Sequence, residues 1–129
     1  MQKCQSVQCP VEITIKLIGG KYKAIILWHL IDKTLRFGEL KKLVTSATPK
    51  MLTQQLRELE EDGLINRCVY PVVPPKVEYS LTEFGKSIVP VLDVMCKWGT
   101  DYLEENKNAG FRLLFGKARQ FSSFQVSVI

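Results

Sequence analysis

The stretch that decides the fold runs from Arg36 to Leu81. It reads RFGELKKLV (36–44), SATPKMLTQQLRELEEDGLI (46–65) and RCVYPVVPPKVEYSL (67–81). Arg36-Phe37 leads into a short helix over Glu39–Val44, with Phe37, Leu40 and Leu43 inward, and Thr45–Thr48 forms a turn. Thr48 or Ser46 can cap the next helix, and Pro49 suits its first position. Leu52, Leu56 and Leu59 recur at i, i+4 and i+7 and predict the buried face of that helix. Asp62-Gly63 ends it. Arg67–Val72 and Lys76–Leu81 read as strands. Val73-Pro74-Pro75 between them is a stiff, exposed tip, because proline has no place inside a central strand. Two short helices and then one isolated hairpin predict a winged helix-turn-helix: mainly α with a small β-hairpin, and flanking dimerisation helices outside it.

Working outward, Cys9-Pro10 begins a first helix, with proline at its favoured first position and Glu12 near the positive end of the helix dipole. Ile13, Leu17 and Ile18 give it a short apolar face, and Gly19-Gly20 stops or bends it. Tyr22–Ile31 reads as a very apolar helix buried on most sides, and Asp32–Leu35 as a turn. Beyond the hairpin, Thr82 caps a helix with Glu83 in its first turn. Pro90 should kink or split that helix. Ile88, Val91, Leu92, Met95, Trp98, Gly99 and Tyr102 form a helical stripe. Because Tyr22–Leu81 can close on itself, we read the stripe as a subunit interface carried by Met95, Trp98 and Tyr102. The domain then spans residues 1–106. Residues 107–129 form a tail too apolar for a free linker, whose docking the sequence leaves open.

The length suits one domain with one core. No apolar run is long enough to span a bilayer. MQKCQSVQCPVE lacks the apolar region of a signal peptide, so the expected location is the cytoplasm, away from membranes. The net charge of +5 is less telling than it looks, since Lys107, Arg112, Lys117 and Arg119 of the tail carry four of those charges. Local clustering says more. Lys33, Arg36, Lys41, Lys42, Lys50 and Arg57 share their stretch with one acid, Glu39, and Glu58, Glu60, Glu61 and Asp62 follow at once. Such a patch neutralises phosphates even in a nearly balanced chain.

The cysteines Cys4, Cys9, Cys68 and Cys96 form no C-x-x-C, and the single histidine, His29, sits in the apolar run IILWHL. That composition argues against a zinc site and for reduced thiols. There is no G-x-S-x-G, P-loop or dinucleotide-binding glycine pattern. We therefore expect no catalysis, no metal and no cofactor.

The polar face opposite the leucines carries Lys50, Thr53, Gln54 and Arg57. Lys and Arg donate to guanine O6 and N7, Gln bonds adenine bidentately, and Thr meets a thymine methyl or a phosphate. The helix start at Ser46, Thr48 and Lys50 offers free N–H groups to a phosphate. Arg36, Lys41 and Lys42 supply the neighbouring basic surface, and Lys76 lies on the wing. These residues predict binding to double-stranded operator DNA by a two-fold dimer. The main alternative is a winged helix used for protein–protein contact, which the acids after Arg57 fit. A small thiol oxidoreductase would need a C-x-x-C or a basic activator, and neither is present.

The runs CPVEITIKLIGGKYKAIIL, RFGELKK, TPKMLTQQLRELEEDGLINRCVYPVVPPKVEYSLTEFG and PVLDVMCKWG together resemble the HxlR-type winged-helix transcriptional regulators, close to the MarR group. The resemblance covers about residues 9 to 105. It implies a homodimeric repressor or activator of a bacterium or archaeon. It also implies, as in several members, a cysteine before the first helix that senses oxidants or electrophiles, and Cys9 falls on that position. A small-molecule or oxidant effector follows from the same likeness. Tyr22 departs from the Trp often found after Gly-Gly-Lys.

Overall fold

The computed structural model describes residues 9–109, with side chains as far as Asn106. Cys4 and the tail from Phe111 onward lie outside the described residues. The chain divides into two compact units at the Val89–Pro90 junction.

In the first unit, Cys9 in extended backbone is the N-cap of α1 (Pro10–Ile18). The Glu12 carboxylate accepts the Cys9 N–H at 3.3 Å, satisfying one orphan donor of the helix start. α2 (Lys23–His29) follows the Gly19-Gly20 corner. It packs on α3 (Phe37–Leu43) and α4 (Pro49–Glu61) through Ile26 and Leu27. Contrary to the expectation of burial on most sides, Ile25 and Trp28 are exposed on the far side of α2, because among the described residues α3 and α4 pack on the side that carries Ile26 and Leu27.

Two further boundaries differ from the sequence reading. α3 starts earlier than Glu39, since Arg36 serves as its N-cap and its N–H reaches the Glu39 carboxylate at 2.8 Å. Leu43 faces solvent. Val44 departs from helical geometry at the C-cap and turns inward in its place.

Between α2 and α3 lies the two-residue β1 (Leu35–Arg36), which the sequence reading took as a turn and a helix entry. It pairs antiparallel with β3 (Lys76–Leu81), Leu35 opposite Tyr79 and Arg36 opposite Glu78. β2 (Ile65–Tyr70) lies on the other side of β3, from Ile65 opposite Leu81 to Tyr70 opposite Lys76. The wing is therefore a three-stranded sheet in the order β1-β3-β2. β2 ends before Pro71, which has no N–H to give the ladder. Ile65, Tyr79 and Leu81 face the helices, and the loop 71–75 stands clear with Val73 98% exposed.

α4 ends in a Schellman arrangement. Gly63 takes φ +80, its N–H reaches Glu60 O at 3.0 Å, and the Leu64 N–H reaches Leu59 O at 2.9 Å. The hairpin returns to this point. Thr82 Oγ1 donates to Gly63 O at 2.6 Å and accepts the Gly85 N–H at 2.8 Å, capping α5 (Glu83–Lys86). Thr82 N–H also bonds Leu64 O at 3.1 Å. The expected break at Pro90 is present: α5 stops at Lys86, and α6 (Val89–Ala109) starts afresh with Pro90 in its first turn. In α6 the Trp98 and Tyr102 rings stack at 5.7 Å, and Lys97 pairs with Asp101 at 3.7 Å.

A Cβ on Gly85 would run into the Leu64 carbonyl, whereas one on Gly38 would meet nothing. Gly85→Ala should therefore cost about 1–3 kcal/mol in urea unfolding, as overpacking does. Gly38→Ala in the same assay should be neutral or stabilising, since alanine favours the helix.

Candidate nucleic-acid interface

The reading surface is set by how α4 is rolled about its axis. Leu52, Leu56 and Leu59 are essentially fully buried, so the opposite residues must face out. Lys50, Thr53, Gln54 and Arg57 are all exposed there. Thr48 is the N-cap, its hydroxyl accepting the Met51 N–H at 3.1 Å, and Pro49 follows at the first helical position. Between Ser46 and Thr48 only Ala47 is buried, so the helix start stands in solvent. Helix dipole and basic side chains there act on a phosphate with the same sign.

The remaining expected contact residues are spread differently. Lys42 is exposed on α3, while Lys41 is half-buried. Arg36 belongs to the sheet, opposite Glu78. Lys76 is less free than its place beside the proline tip implies. Its ammonium lies 3.6 Å from the Glu78 carboxylate and 4.9 Å from the centre of the Tyr70 ring. Cys68 and Glu78 beside its hydroxyl push the Tyr70 phenol up to about 12, since both favour the protonated phenol. The outer face of the wing thus satisfies much of its own charge.

The sequence reading missed the residues that hold α4 from behind. The Tyr22 N–H donates to Gln55 Oε1 at 3.0 Å, and the Tyr22 hydroxyl donates to Ser46 O at 3.1 Å. Lys23, 6% exposed, pairs with Glu58 at 2.7 Å. Gln54 Nε2 in turn donates to the other oxygen of Glu58 at 2.8 Å. The corner after Gly19-Gly20 therefore grips α4 along one side and the turn before it. A Cβ on Gly20 would meet the Gln55 amide at 2.6 Å, so the close approach uses the missing side chain. The only sequence signal was a lysine at the head of an apolar helix, which asks for a buried partner without naming one.

Gln54 and then Lys23, both donating to the ionised form, hold the Glu58 carboxyl below its ordinary 4.5. A lowered value makes the contribution full above that ordinary value and lost as pH falls through the lowered one. Wild type should therefore exceed Glu58→Gln in urea stability at neutral pH, and the gap should close as the pH drops below 4.5.

Among the described residues no helix is long and apolar enough to cross a membrane, and no side-chain group is arranged to hold a metal ion. The family model described as HxlR-like helix-turn-helix matches residues 17–107. The HTH-type transcriptional regulator YdeP of Bacillus subtilis (strain 168) is 60% identical over 94 residues, covering 73% of each chain. The crystal structure of the HTH-type regulator ytcD superposes with a TM-score of 0.72 at 52% identity, over 75% of this chain and 99% of that one. The redox regulator HypR in its oxidised form gives 0.70 at 54% identity, over 72% of this chain and 96% of that one. At these identities and TM-scores the fold is shared as well as the sequence. The chain belongs to the HxlR-like helix-turn-helix family of transcriptional regulators.

Proposed function

We propose that the chain binds operator DNA as a homodimer, with α4 in the major groove. The observation that carries this reading is the set Lys50, Thr53, Gln54 and Arg57, exposed together opposite three buried leucines on a helix whose start is open to solvent. Arg57 and Lys50 read guanine, Gln54 reads adenine, and Ser46, Thr48 and Thr53 meet the backbone with Lys42 and Arg36. Lys76 reaches a phosphate by exchanging Glu78 for it, and Lys41 contributes charge rather than a direct contact.

Two helices carry exposed apolar residues. On α1, Val11 and Ile15 are 64% and 60% exposed. On α6, Val91, Met95, Trp98 and Tyr102 are exposed at near-heptad spacing. A second copy covers such surfaces and doubles the number of half-sites held. Ile25 and Trp28 of α2 are likewise exposed.

Cys9 is the sensing residue in this reading. It is exposed at the start of α1, where accessibility favours reaction. The structural relative HypR is a redox regulator, solved in an oxidised form. Addition of the Cys9 thiolate to a quinone carbon forms a C–S bond, and the ring takes up the proton. An adduct of that size at the head of α1 shifts a helix that the dimer uses.

Arg57→Ala should lose about 1–3 kcal/mol at one base position and relax the preference there. Trp98→Glu should sediment as a monomer and lose specific binding. Gel shifts on the DNA around its own gene, at several salt concentrations, check both. Unchanged base preference in the first variant, or a dimeric second variant, removes that residue from its role.

Cys9→Ser should keep operator binding when wild type loses it to a quinone or peroxide, and should resist alkylation at that site. Equal loss in both proteins, or none in either, places the signal elsewhere.

A further inference from the structure

The chain of contacts behind Gln54 has a consequence for which base it reads. Glu58 uses its two oxygens in opposite directions: Oε1 lies 2.7 Å from the Lys23 ammonium, and Oε2 accepts from Gln54 Nε2 at 2.8 Å. Lys23 is buried and belongs to α2, so it anchors the carboxylate to the body of the domain. A carboxylate tied at both oxygens cannot turn. An ionised carboxylate also accepts hydrogen bonds and cannot donate them. It therefore selects one of the two orientations of the Gln54 amide, the one with nitrogen towards Glu58. The amide oxygen and the second N–H remain on the exposed side. In the opposite orientation two oxygens would face each other.

The choice matters because the two orientations read different bases. An amide presenting its oxygen accepts from the major-groove amino groups, N6 of adenine or N4 of cytosine. With its remaining N–H aimed at N7, it completes the bidentate pair with adenine. The reversed amide places a donor where that oxygen stood and suits the keto oxygens of guanine and thymine. A free glutamine offers both.

We propose that Lys23 and Glu58 are specificity-determining positioning residues. By locking the Gln54 amide through an ion pair with a buried lysine, they make this regulator select adenine over a keto base at the position Gln54 reads. The proposal rests on α4 reading DNA as described above. Neither Lys23 nor Glu58 needs to touch the DNA. Glu58→Gln keeps the shape, but the Lys23 ammonium holds its amide oxygen and turns its NH2 towards Gln54, so the nitrogen-inward orientation of Gln54 is no longer selected.

The test is selection from a pool of randomised duplexes by wild type, Gln54→Ala, Glu58→Gln and Lys23→Met, followed by sequencing. Wild type should enrich adenine at one position per half-site, and Gln54→Ala should erase that preference. Glu58→Gln and Lys23→Met should each lower the adenine-to-guanine ratio at that same position about tenfold, the scale of one bidentate contact. Preferences at the other positions should hold, and Glu58→Gln added to Gln54→Ala should change nothing more. A merely structural role would instead weaken selection at every position. If Glu58→Gln retains the adenine preference, or loses all preferences together, the inference falls while the function stands. Should Gln54→Ala leave every base preference intact, the inference falls likewise. If wild type enriches no sequence, the operator-binding reading falls with it. Circular dichroism checks folding. Should Lys23→Met not fold, the near-isosteric Glu58→Gln decides alone.

Discussion

Burial of Leu52, Leu56 and Leu59 is the constraint on which the rest of the molecule depends. Three leucines at helical spacing fix the roll of α4, because turning the helix by one residue would expose one of them and bury a charge. Each buried leucine is worth about 1.5–3 kcal/mol relative to exposure. The stripe therefore outweighs the propensities of the residues it displaces to the outside. Everything proposed for the outer face follows from that roll, which turns Lys50, Gln54 and Arg57 outward together.

Roll alone leaves the tilt of α4 free, and the Gly19–Lys23 corner removes that freedom. Its bonds to Gln55, Glu58 and Ser46 reach α4 and the turn that introduces it. Burying the Lys23 ammonium costs several kcal/mol by itself, and the short contact with Glu58 offsets the cost only with good geometry. Such a pair contributes little net stability, but it makes wrong placements of the helix expensive. The same corner is the continuation of α1, so the helix that carries Cys9 leads straight into the five residues whose side-chain and backbone contacts hold the helix that carries Gln54. A displacement of α1 therefore acts at the back of the reading surface.

Much of this was legible before the structure. Thr48, Pro49, the leucine stripe and Asp62-Gly63 mark both ends and the inner face of α4 by local rules alone, and α4 runs where they place it. The prolines located the wing tip, and Pro90 the break before α6. What was not legible depends on partners distant in sequence. β1 has two residues, too few for any periodicity, and is a strand only because β3 lies beside it. Leu43 and Val44 are equally apolar neighbours, and the C-cap geometry decides which turns in. The role of Lys23 was not legible because its partner is thirty-five residues away, and Lys76 read as a wing charge because nothing local showed that Glu78 and Tyr70 share its face of the sheet. The apolar faces of α1, α2 and α6 were visible as stripes, yet a stripe alone does not distinguish a core from a surface meant for a second chain.

The knot at Gly63, Leu64, Thr82 and Gly85 has a consequence for how the wing can vary. Both ends of the hairpin are tied at one place by bonds that involve none of the tip residues. The segment between is, in engineering terms, a cassette with a fixed socket. Lengthening its tip adds only chain entropy, about 0.6 kcal/mol for each doubling of the loop. The helices would not register the change. The loop from Pro71 to Pro75 is thus the part of this architecture most open to exchange, by evolution or by design, while the residues of the socket tolerate little.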